Sequence, residues 1–384
     1  GDPDGPLYDL TETRDVDMRL TGRWWSGRNI ELEHGVQFQH FDHVFDKVVR
    51  ASAQQNTVAD TTMDSLRARS SLTWFHGSHD ITPELHADLA MISRQGSSGD
   101  IEPANEVSGT IGLSDTWYAN DITTLQTGGA MRAHSALGVG GSASSALAIR
   151  VALPLVLRTG ASMTQRLPTA EERLLFFDHS EVGYQIEGNP DLRSERVVST
   201  FLAADFGYDE GPETLQLFLG VRGFYHRLYD PIDTALVTPQ SGSSAAVYSY
   251  ANGDEAHTAG ANLRLQVSRL PGHLALALSW SWLPLSETVE DAESLLLRTQ
   301  HRASGELRGS WLDGRLEAWT VLSTRARLVV PESEPGAPGY WALSVGASCL
   351  VYEGVRLTIL GNNLLDQTNA TWGPIPGGHL MTTL

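Results

Sequence analysis

Apolar and polar side chains alternate with a period of two along much of the chain, and this pattern constrains the fold most. The clearest run places five apolar residues on one face: Leu274, Leu276, Leu278, Trp280 and Trp282. Similar runs occur at 30–38, 215–222, 263–268, 343–351 and 355–360. Successive side chains of a strand point to opposite faces of a sheet, so each run predicts a strand with one apolar face. The sequence predicts an all-β protein with about 17 strands.

The segments between these runs alternate in length. Tight turns are predicted near 26–27, 77–80, 119–121, 271–272, 312–314 and 353–354. Longer polar connections are predicted at 40–63, 94–105, 134–144, 169–192, 228–245, 286–296, 330–338 and 364–377. The best helical pattern is short, near 170–177. Alternation of short turns with long loops is typical of transmembrane β-barrels, whereas nothing imposes it on a soluble sandwich.

Composition excludes several classes of function. The 384 residues carry a formal net charge of −19, which argues against nucleic acid as a partner. No apolar stretch is long enough for a transmembrane helix. The single cysteine, Cys349, cannot form a disulfide framework. Sequence motifs of hydrolases, phosphate-binding loops and zinc proteases are absent, so we expect no catalytic residue, no cofactor and no metal site.

Tryptophans and arginines fit a membrane-spanning sheet. Several tryptophans adjoin predicted turns or strand ends, as interfacial aromatic residues do in barrels; they include Trp24, Trp25, Trp74, Trp117 and Trp311. Four arginines fall on the polar face of their strands: Arg222, Arg264, Arg308 and Arg356. An arginine facing lipid at mid-bilayer costs roughly 2–4 kcal/mol, so these positions fix which face points inward.

Three segments resemble the barrel of TonB-dependent outer-membrane receptors. The first runs from Gly188 through Asn189, Pro190, Asp191, Leu192 and Arg193 to Ser194 and Glu195. It is similar to the "GNPxLxPE" segment of that family, with Ser194 in place of the second proline. In the family this segment ends a long outer loop and starts the next strand.

The other two segments lie nearer the end of the chain. Asn363, Leu364, Leu365 and Asp366 resemble the "NLFD" motif that ends the penultimate strand. Residues 298–301 resemble an "RxPxH" motif before a late strand. The resemblance implies a transmembrane antiparallel β-barrel of the TonB-dependent receptor type. Residues 1–384 would then form a single barrel domain with about 17 strands of a 22-stranded barrel.

The chain departs from the family pattern at both ends. No trace of the plug domain that precedes the family barrel is visible, and the last predicted strand, Leu380 to Leu384, is short. We interpret the sequence as a barrel fragment from a longer receptor.

The resemblance implies a receptor and transporter in the bacterial outer membrane. It would take up a scarce small ligand, such as a ferric siderophore or cobalamin, and the TonB, ExbB and ExbD proteins would act through the missing plug. Its other partners would be outer-membrane lipid and lipopolysaccharide. We expect ligand contacts at Tyr184, Arg193 and Trp372. The alternatives are a passive, plugless porin and a soluble β-rich carbohydrate-binding protein.

Overall fold

A computed structural model describes residues 7–49, 54–95, 101–174, 176–179, 184–209, 211, 215–237, 246–289, 301–326, 339–368 and 379–383. The first strands are β1 (Leu7–Ser26), β2 (Ile30–Val49), β3 (Gln54–His76), β4 (His79–Gln95), β5 (Ile101–Asn120), β6 (Thr123–His134), β7 (Gly138–Ala152) and β8 (Leu155–Arg166). A short helix, α1 (Ala170–Leu174), follows.

The remaining strands are β9 (Phe176–His179), β10 (Tyr184–Glu187), β11 (Glu195–Asp209), β12 (Gln216–Tyr229), β13 (Ile232–Val237), β14 (Ala246–Asn252), β15 (Glu255–Leu270), β16 (Leu274–Val289), β17 (His301–Trp311), β18 (Leu316–Arg325), β19 (Tyr340–Tyr352), β20 (Val355–Asn362) and β21 (His379–Thr383). Seventeen of these strands form one sheet, and β9, β10, β13 and β14 form a second. The main sheet therefore has the predicted number of strands, whereas the four short strands of the second sheet were not predicted.

The chain divides into two compact units. The first unit comprises Gly1–Ser145, Ser162–Val197 and Tyr229–Gly253, and the second comprises Ala146–Ala161, Val198–Leu228 and Asp254–Leu384. The first unit holds the hairpins β1 to β6 and the four-stranded sheet, whose order is β13, β14, β10, β9. The second unit holds the antiparallel run β15 to β21.

Short turns join the strands where the sequence predicts them. The β1–β2 turn contains Gly27 at φ 63°, and the β3–β4 turn contains Gly77 at φ 61°. Glycine adopts this left-handed backbone without steric cost, which explains both tight turns. The turns predicted near 271, 312 and 353 are confirmed as well.

Three predicted long connections are wrong. Residues 40–49 and 54–63 belong to β2 and β3, which stay paired through positions such as His43 and Thr61. Likewise β4 continues to Gln95, β5 begins at Ile101, and only residues 135–137 separate β6 from β7. The sequences of these segments lack the regular apolar–polar alternation by which a strand is recognised, while backbone pairing does not depend on it.

Other connections are partly confirmed. The predicted connection 169–192 contains α1, β9 and β10, and the helix ends at Leu174, because Phe176–His179 pairs in β9 instead of extending the helix to residue 177. Part of the predicted connection 228–245 is β13, and the predicted connection 286–296 begins within β16. Residues 330–338, 238–245, 290–296 and 369–377 lie outside the described residues.

An exposed apolar band runs across the first unit. Outward apolar residues extend from Val16 to Trp24 on β1, from Ile30 to Phe38 on β2 and from Leu66 to Trp74 on β3. Leu20 is 76% exposed. Each run spans about nine residues, which matches the roughly 9–11 residues that a tilted strand needs to cross a bilayer. Such a band is unfavourable in water and favourable against lipid.

The second unit has a band of similar height. Trp280, Trp282 and His301 stack with ring centroids 5.9–6.4 Å apart at one level. Trp311 ends β17 at the opposite level. Ten residues of tilted strand separate His301 from Trp311, which corresponds to about 25 Å and equals the usual height of a barrel's apolar band.

Little apolar surface is buried. Among the described residues, the buried apolar side chains are Leu192, Ala203 and Ala256, and no large side chain is fully buried. A soluble sandwich buries large apolar residues between its sheets, so this distribution disfavours the soluble alternative. Within the described residues no helix is long and apolar enough to cross a membrane.

Candidate functional site

A polar network lines the inner face of the first unit, opposite the apolar band. Arg67 on β3 and Arg132 on β6 approach Asp88 on β4 at 3.8 and 3.7 Å. Ser108 on β5 donates a hydrogen bond to Asp88 (3.1 Å) and accepts one from Arg132 (2.9 Å). Strand register places Arg67, Asp88 and Ser108 side by side, and Arg132 lies two residues along β6 from the direct partner of Ser108. Hydrogen bonds and charges of opposite sign therefore cross-link four strands.

Helix α1 packs against this inner face. The guanidinium of Arg173 lies 2.5 Å from the carboxylate of Glu106 on β5, and both side chains are 11% exposed. His134 on β6 approaches the second oxygen of Glu106 at 3.6 Å. A nearly buried ion pair therefore holds the helix on the strand wall.

A capping box starts the helix. The backbone N–H of Thr169 donates to Glu172 (2.8 Å), and the N–H of Glu172 donates to the hydroxyl of Thr169 (3.2 Å). Arg166, at the end of β8, donates to both oxygens of Glu172 at 3.0 Å. Burial opposes ionisation of Glu172, but hydrogen bonds from Arg166 and Thr169 outweigh it and hold the pKa of Glu172 below its ordinary value.

The family-like segment, residues 188–195, contacts the backbone of helix α1. A Cβ on Gly188 would lie 2.5 Å from the carbonyl carbon of Arg173, so only glycine permits this approach. The N–H of Asn189 donates to the carbonyl of Glu172 at 2.9 Å. This contact gives a physical reason for the first two residues of the motif.

The same segment also holds the four-stranded sheet. The side-chain amide of Asn189 donates to the carbonyl of Tyr250 on β14 (2.9 Å), and its oxygen accepts the N–H of Asp191 around Pro190. The N–H of Arg193 donates to the side-chain oxygen of Asn252, whose amide donates back to the carbonyl of Arg193. Leu192 is buried.

Glu195 completes the motif at the start of β11. Its carboxylate lies 3.4 Å from Arg166 and accepts the backbone N–H of Ile232, which begins β13 (3.1 Å). Arg166 therefore bridges Glu172 and Glu195, joining the helix, β8 and the small sheet. The contacts of Gly188, Asn189 and Glu195 hold the helix, the small sheet and β11 together.

The predicted ligand-contact residues occupy different settings. Tyr184 is half-buried at the start of β10, opposite Ala246 of β14. Arg193 is 68% exposed, and its guanidinium lies 2.8 Å from Asp230. Both belong to the small sheet and its flank in the first unit. Trp372 lies outside the described residues.

The second unit contains the other family-like motif. Asn363 directly follows β20, adopts φ 46°, and bonds through its side chain to both backbone groups of Gln367. Leu364 donates its N–H to the carbonyl of Leu343, and Asp366 donates its N–H to the carbonyl of Asn363. The motif therefore closes the end of the penultimate strand, as the sequence predicts.

The inner face of the second unit carries the predicted arginines. Arg308 contacts Glu306 at 3.0 Å, and its guanidinium lies 6.0 Å from the ring of Trp319. Arg222 lies 4.3 Å above the ring of Phe201. Arg356 contacts Ser348 and Glu317, and Arg264 faces Ser279 across the β15–β16 pair.

Sequence reasoning missed the ion pairs that fix the helix. The capping pattern Thr169 to Glu172 was visible before a short helical run. The Arg173–Glu106 pair was not, because 67 residues separate its members. In the described part of the chain, no group of three or more His, Cys, Asp or Glu residues is arranged to hold a metal ion.

Comparison with known proteins supports this arrangement. The family model described as "TonB dependent receptor-like, beta-barrel" matches residues 2–364. A search of curated proteins found no match.

Solved structures of similar fold include a siderophore receptor, PirA from Pseudomonas aeruginosa. It is 14% identical, with TM-score 0.67, over 96% of this chain and 70% of that one. The hemophore receptor HasR of Serratia marcescens, in complex with its hemophore HasA and heme, is 15% identical with TM-score 0.71, over 97% and 65%. The copper transporter OprC is 15% identical with TM-score 0.73, over 98% and 66%.

At these identities the solved structures show the fold, which is that of TonB-dependent receptor barrels. The family model covers nearly the whole sequence, and the two motif segments occupy the strand ends that the family pattern implies. This chain belongs to the TonB-dependent receptor-like β-barrel family.

Proposed function

We propose that this chain is the barrel of an outer-membrane receptor that takes up a scarce small ligand, such as a ferric siderophore or cobalamin. The main observation is that β1, β2 and β3 each present a nine-residue exposed apolar run on one face and charged side chains on the other, in a chain of this family. Such a wall fits lipid on one side and an aqueous passage on the other.

The proposed location is the bacterial outer membrane. The apolar band, with tryptophans at its edges, matches the height of a bilayer. Outer-membrane lipid and lipopolysaccharide are then the partners of the outward face. The protein's role is binding and transport without covalent chemistry or a cofactor.

The proposed ligand contacts are Tyr184, Arg193 and Trp372. Tyr184 belongs to the small sheet, and Arg193 belongs to the motif segment that connects this sheet to helix α1. Names of fold relatives support a small ligand, because one is a siderophore receptor, one is a hemophore receptor solved with heme, and one is a copper transporter. The guanidinium of Arg193 is held beside Asp230 and is still 68% exposed, which supports its access to a ligand.

Energy would come from the TonB, ExbB and ExbD proteins. We propose that residues 1–384 form one barrel domain and that a plug domain outside this sequence makes the contact with TonB. The family supports this partnership. The alternative is passive diffusion through a plugless barrel.

Uptake by the source bacterium distinguishes TonB-driven transport from passive diffusion. Cells with the intact parent gene, with the gene deleted, and with tonB deleted are supplied with radioactive iron in spent culture medium, or with labelled cyanocobalamin. We expect accumulation of one label that requires both genes. Uptake that survives loss of tonB, together with faster entry of an unrelated small solute such as nitrocefin, would establish the porin instead.

A further inference from the structure

The inner face of the first unit has a hollow above Gly35 of β2. The cross-strand partners of this glycine are Thr21 of β1 and Arg69 of β3. A Cβ at Gly35 would lie 3.6 Å from the side chain of Thr21, so the backbone accepts a side chain here and only the hollow would be lost. The cavity has a volume of about 540 Å³, which is within the roughly 300–1,000 Å³ of small-molecule pockets.

This cavity is positively charged. Four arginines line it, two from β1 and two from β3: Arg19, Arg23, Arg67 and Arg69. Two carboxylates line it as well, Glu33 and Asp88. With histidine neutral, four cations and two anions leave a formal excess of two positive charges, in a chain whose net charge is −19. A hollow lined by charges of one sign concentrates ions of the opposite sign.

Two of the four arginines are paired with the two carboxylates. The Nε of Arg23 donates a hydrogen bond to Glu33 at 2.6 Å. The guanidinium of Arg67 lies 3.8 Å from the carboxylate of Asp88. These contacts neutralise both carboxylates of the cavity, so the positive excess resides on the other two arginines.

Arg19 and Arg69 are these two remaining arginines. Both are exposed, and neither has a hydrogen bond or an ion pair with another residue that the structure describes. The neighbouring inward carboxylate on β1, Asp17, accepts a hydrogen bond from Gln37 at 2.6 Å instead. The two arginines lie on either side of β2, two strand spacings or about 10 Å apart, so their long side chains can converge above Gly35.

We propose that Arg19 and Arg69, above the floor formed by Gly35, bind a small ligand that carries several oxyanion groups. A polycarboxylate or a phosphate compound fits, because each guanidinium donates two parallel hydrogen bonds to such a group and has no acceptor of its own. The site is separate from Tyr184 and Arg193, since neither lines the cavity. It goes beyond the proposed function, because anion binding requires neither TonB nor uptake.

Equilibrium dialysis of the full-length parent protein in detergent, freed of lipopolysaccharide, tests the site. The probes are citrate, inorganic phosphate and lipid A. We expect saturable binding of citrate or phosphate that weakens with added salt and is about tenfold weaker in Arg19→Gln and in Arg69→Gln. Arg308→Gln is the matched control, because this arginine lies on the inner face of the second unit beside Glu306, and it should bind as the wild type does.

A steric variant separates this site from a general attraction of anions. Gly35→Leu fills the hollow and leaves every charge in place, so it should abolish saturable binding. Gly109→Leu is its control, because position 109 alternates outward with the exposed Val107 and Ile111, and it should bind as the wild type does. Heat-modifiable migration on gels confirms that each variant is folded; if Gly35→Leu is not, the arginine variants decide.

Three outcomes overturn the proposal: no saturable binding of citrate or phosphate by the wild type, saturable binding of lipid A alone, or wild-type affinity in the folded Arg69→Gln or Gly35→Leu variant. Because binding is measured on purified protein, a failure of TonB-dependent uptake leaves this result unchanged.

Discussion

The ion pair between Arg173 and Glu106 should decide whether helix α1 stays on the inner wall. Replacing Arg173 with Met removes the cation and leaves a carboxylate that is 11% exposed, with only His134 at 3.6 Å in compensation. Breaking a buried pair on one side costs about 3–5 kcal/mol, and residual exposure places this case near 3 kcal/mol.

Hydrogen exchange of two amides measures the effect. The N–H of Arg173 bonds to the carbonyl of Thr169, and the N–H of Asn189 bonds to the carbonyl of Glu172, so both report on the docked helix. A loss of about 3 kcal/mol corresponds to roughly 100-fold faster exchange at these positions. The double variant Glu106→Leu with Arg173→Met should recover most of the protection, because an apolar pair of similar volume avoids the stranded charge.

Arg193→Met is the matched control within the same assembly. Its guanidinium pairs with Asp230 but is 68% exposed, so solvent screening limits the pair to about 1 kcal/mol or less. Exchange at the two reporter amides should rise less than about fivefold. If Arg173→Met leaves both amides as protected as in the wild type, or if the double variant exchanges as fast as the single one, the ion pair does not hold the helix.

Three further outcomes are expected. Gly188→Ala should detach the motif segment and speed protease cleavage in 167–194. The added Cβ would meet the backbone of Arg173 at 2.5 Å, at a cost of about 1–3 kcal/mol. The control Gly22→Ala has open space around its Cβ and should not speed cleavage. Glu172 has a lowered pKa in the folded protein, so the stability it contributes is complete above the ordinary carboxyl pKa near 4.3 and declines as pH falls through the folded-state pKa. Protection of the Asn189 amide from hydrogen exchange, corrected for the intrinsic rate, should follow this decline in the wild type. The same protection should not follow it in Glu172→Gln. Leu278→Arg on the outward face should destabilise the barrel by roughly 2–4 kcal/mol and lower the yield of heat-modifiable folded barrel on gels. Ala277→Arg lies opposite Glu306 on the inner face and should fold. Equal yields of the two variants would contradict the assignment of the faces.

The alternation of side chains was sufficient to predict the sheet and its faces. Runs such as Leu274 to Trp282 predict a strand from sequence alone, because one face of that strand contacts an apolar medium. In residues 40–49 of β2 and 54–63 of β3 the sequence lacks this regular alternation, and the same backbone pairing continues without that signal. The prediction of long loops there failed for this reason.

The site was harder to predict than the fold. Gly188 and Asn189 were recognised as a motif, and the structure supplies their cause in the backbone of α1. The pair of Arg173 with Glu106 depends on where the helix contacts β5, and a pair such as Arg67 with Asp88 depends on which strand positions meet across the sheet. Register is a property of pairing between distant segments, so a single sequence read locally does not contain it.

The paired ends of β2 and β3 extend beyond the apolar band as a two-stranded ribbon that could display an inserted peptide. About ten residues of β2 follow Phe38, and about ten residues of β3 precede Leu66. At about 3.3 Å per residue and a tilt of roughly 40°, these ends rise about 25 Å beyond the band. If the short turns face the periplasm, as in other outer-membrane barrels, a peptide epitope inserted between Val49 and Gln54 would lie beyond the headgroups and be accessible to antibodies on intact cells. The same epitope placed at the Gly27 turn would be labelled only after the envelope is breached, so a pair of tagged strains would report which way the barrel faces.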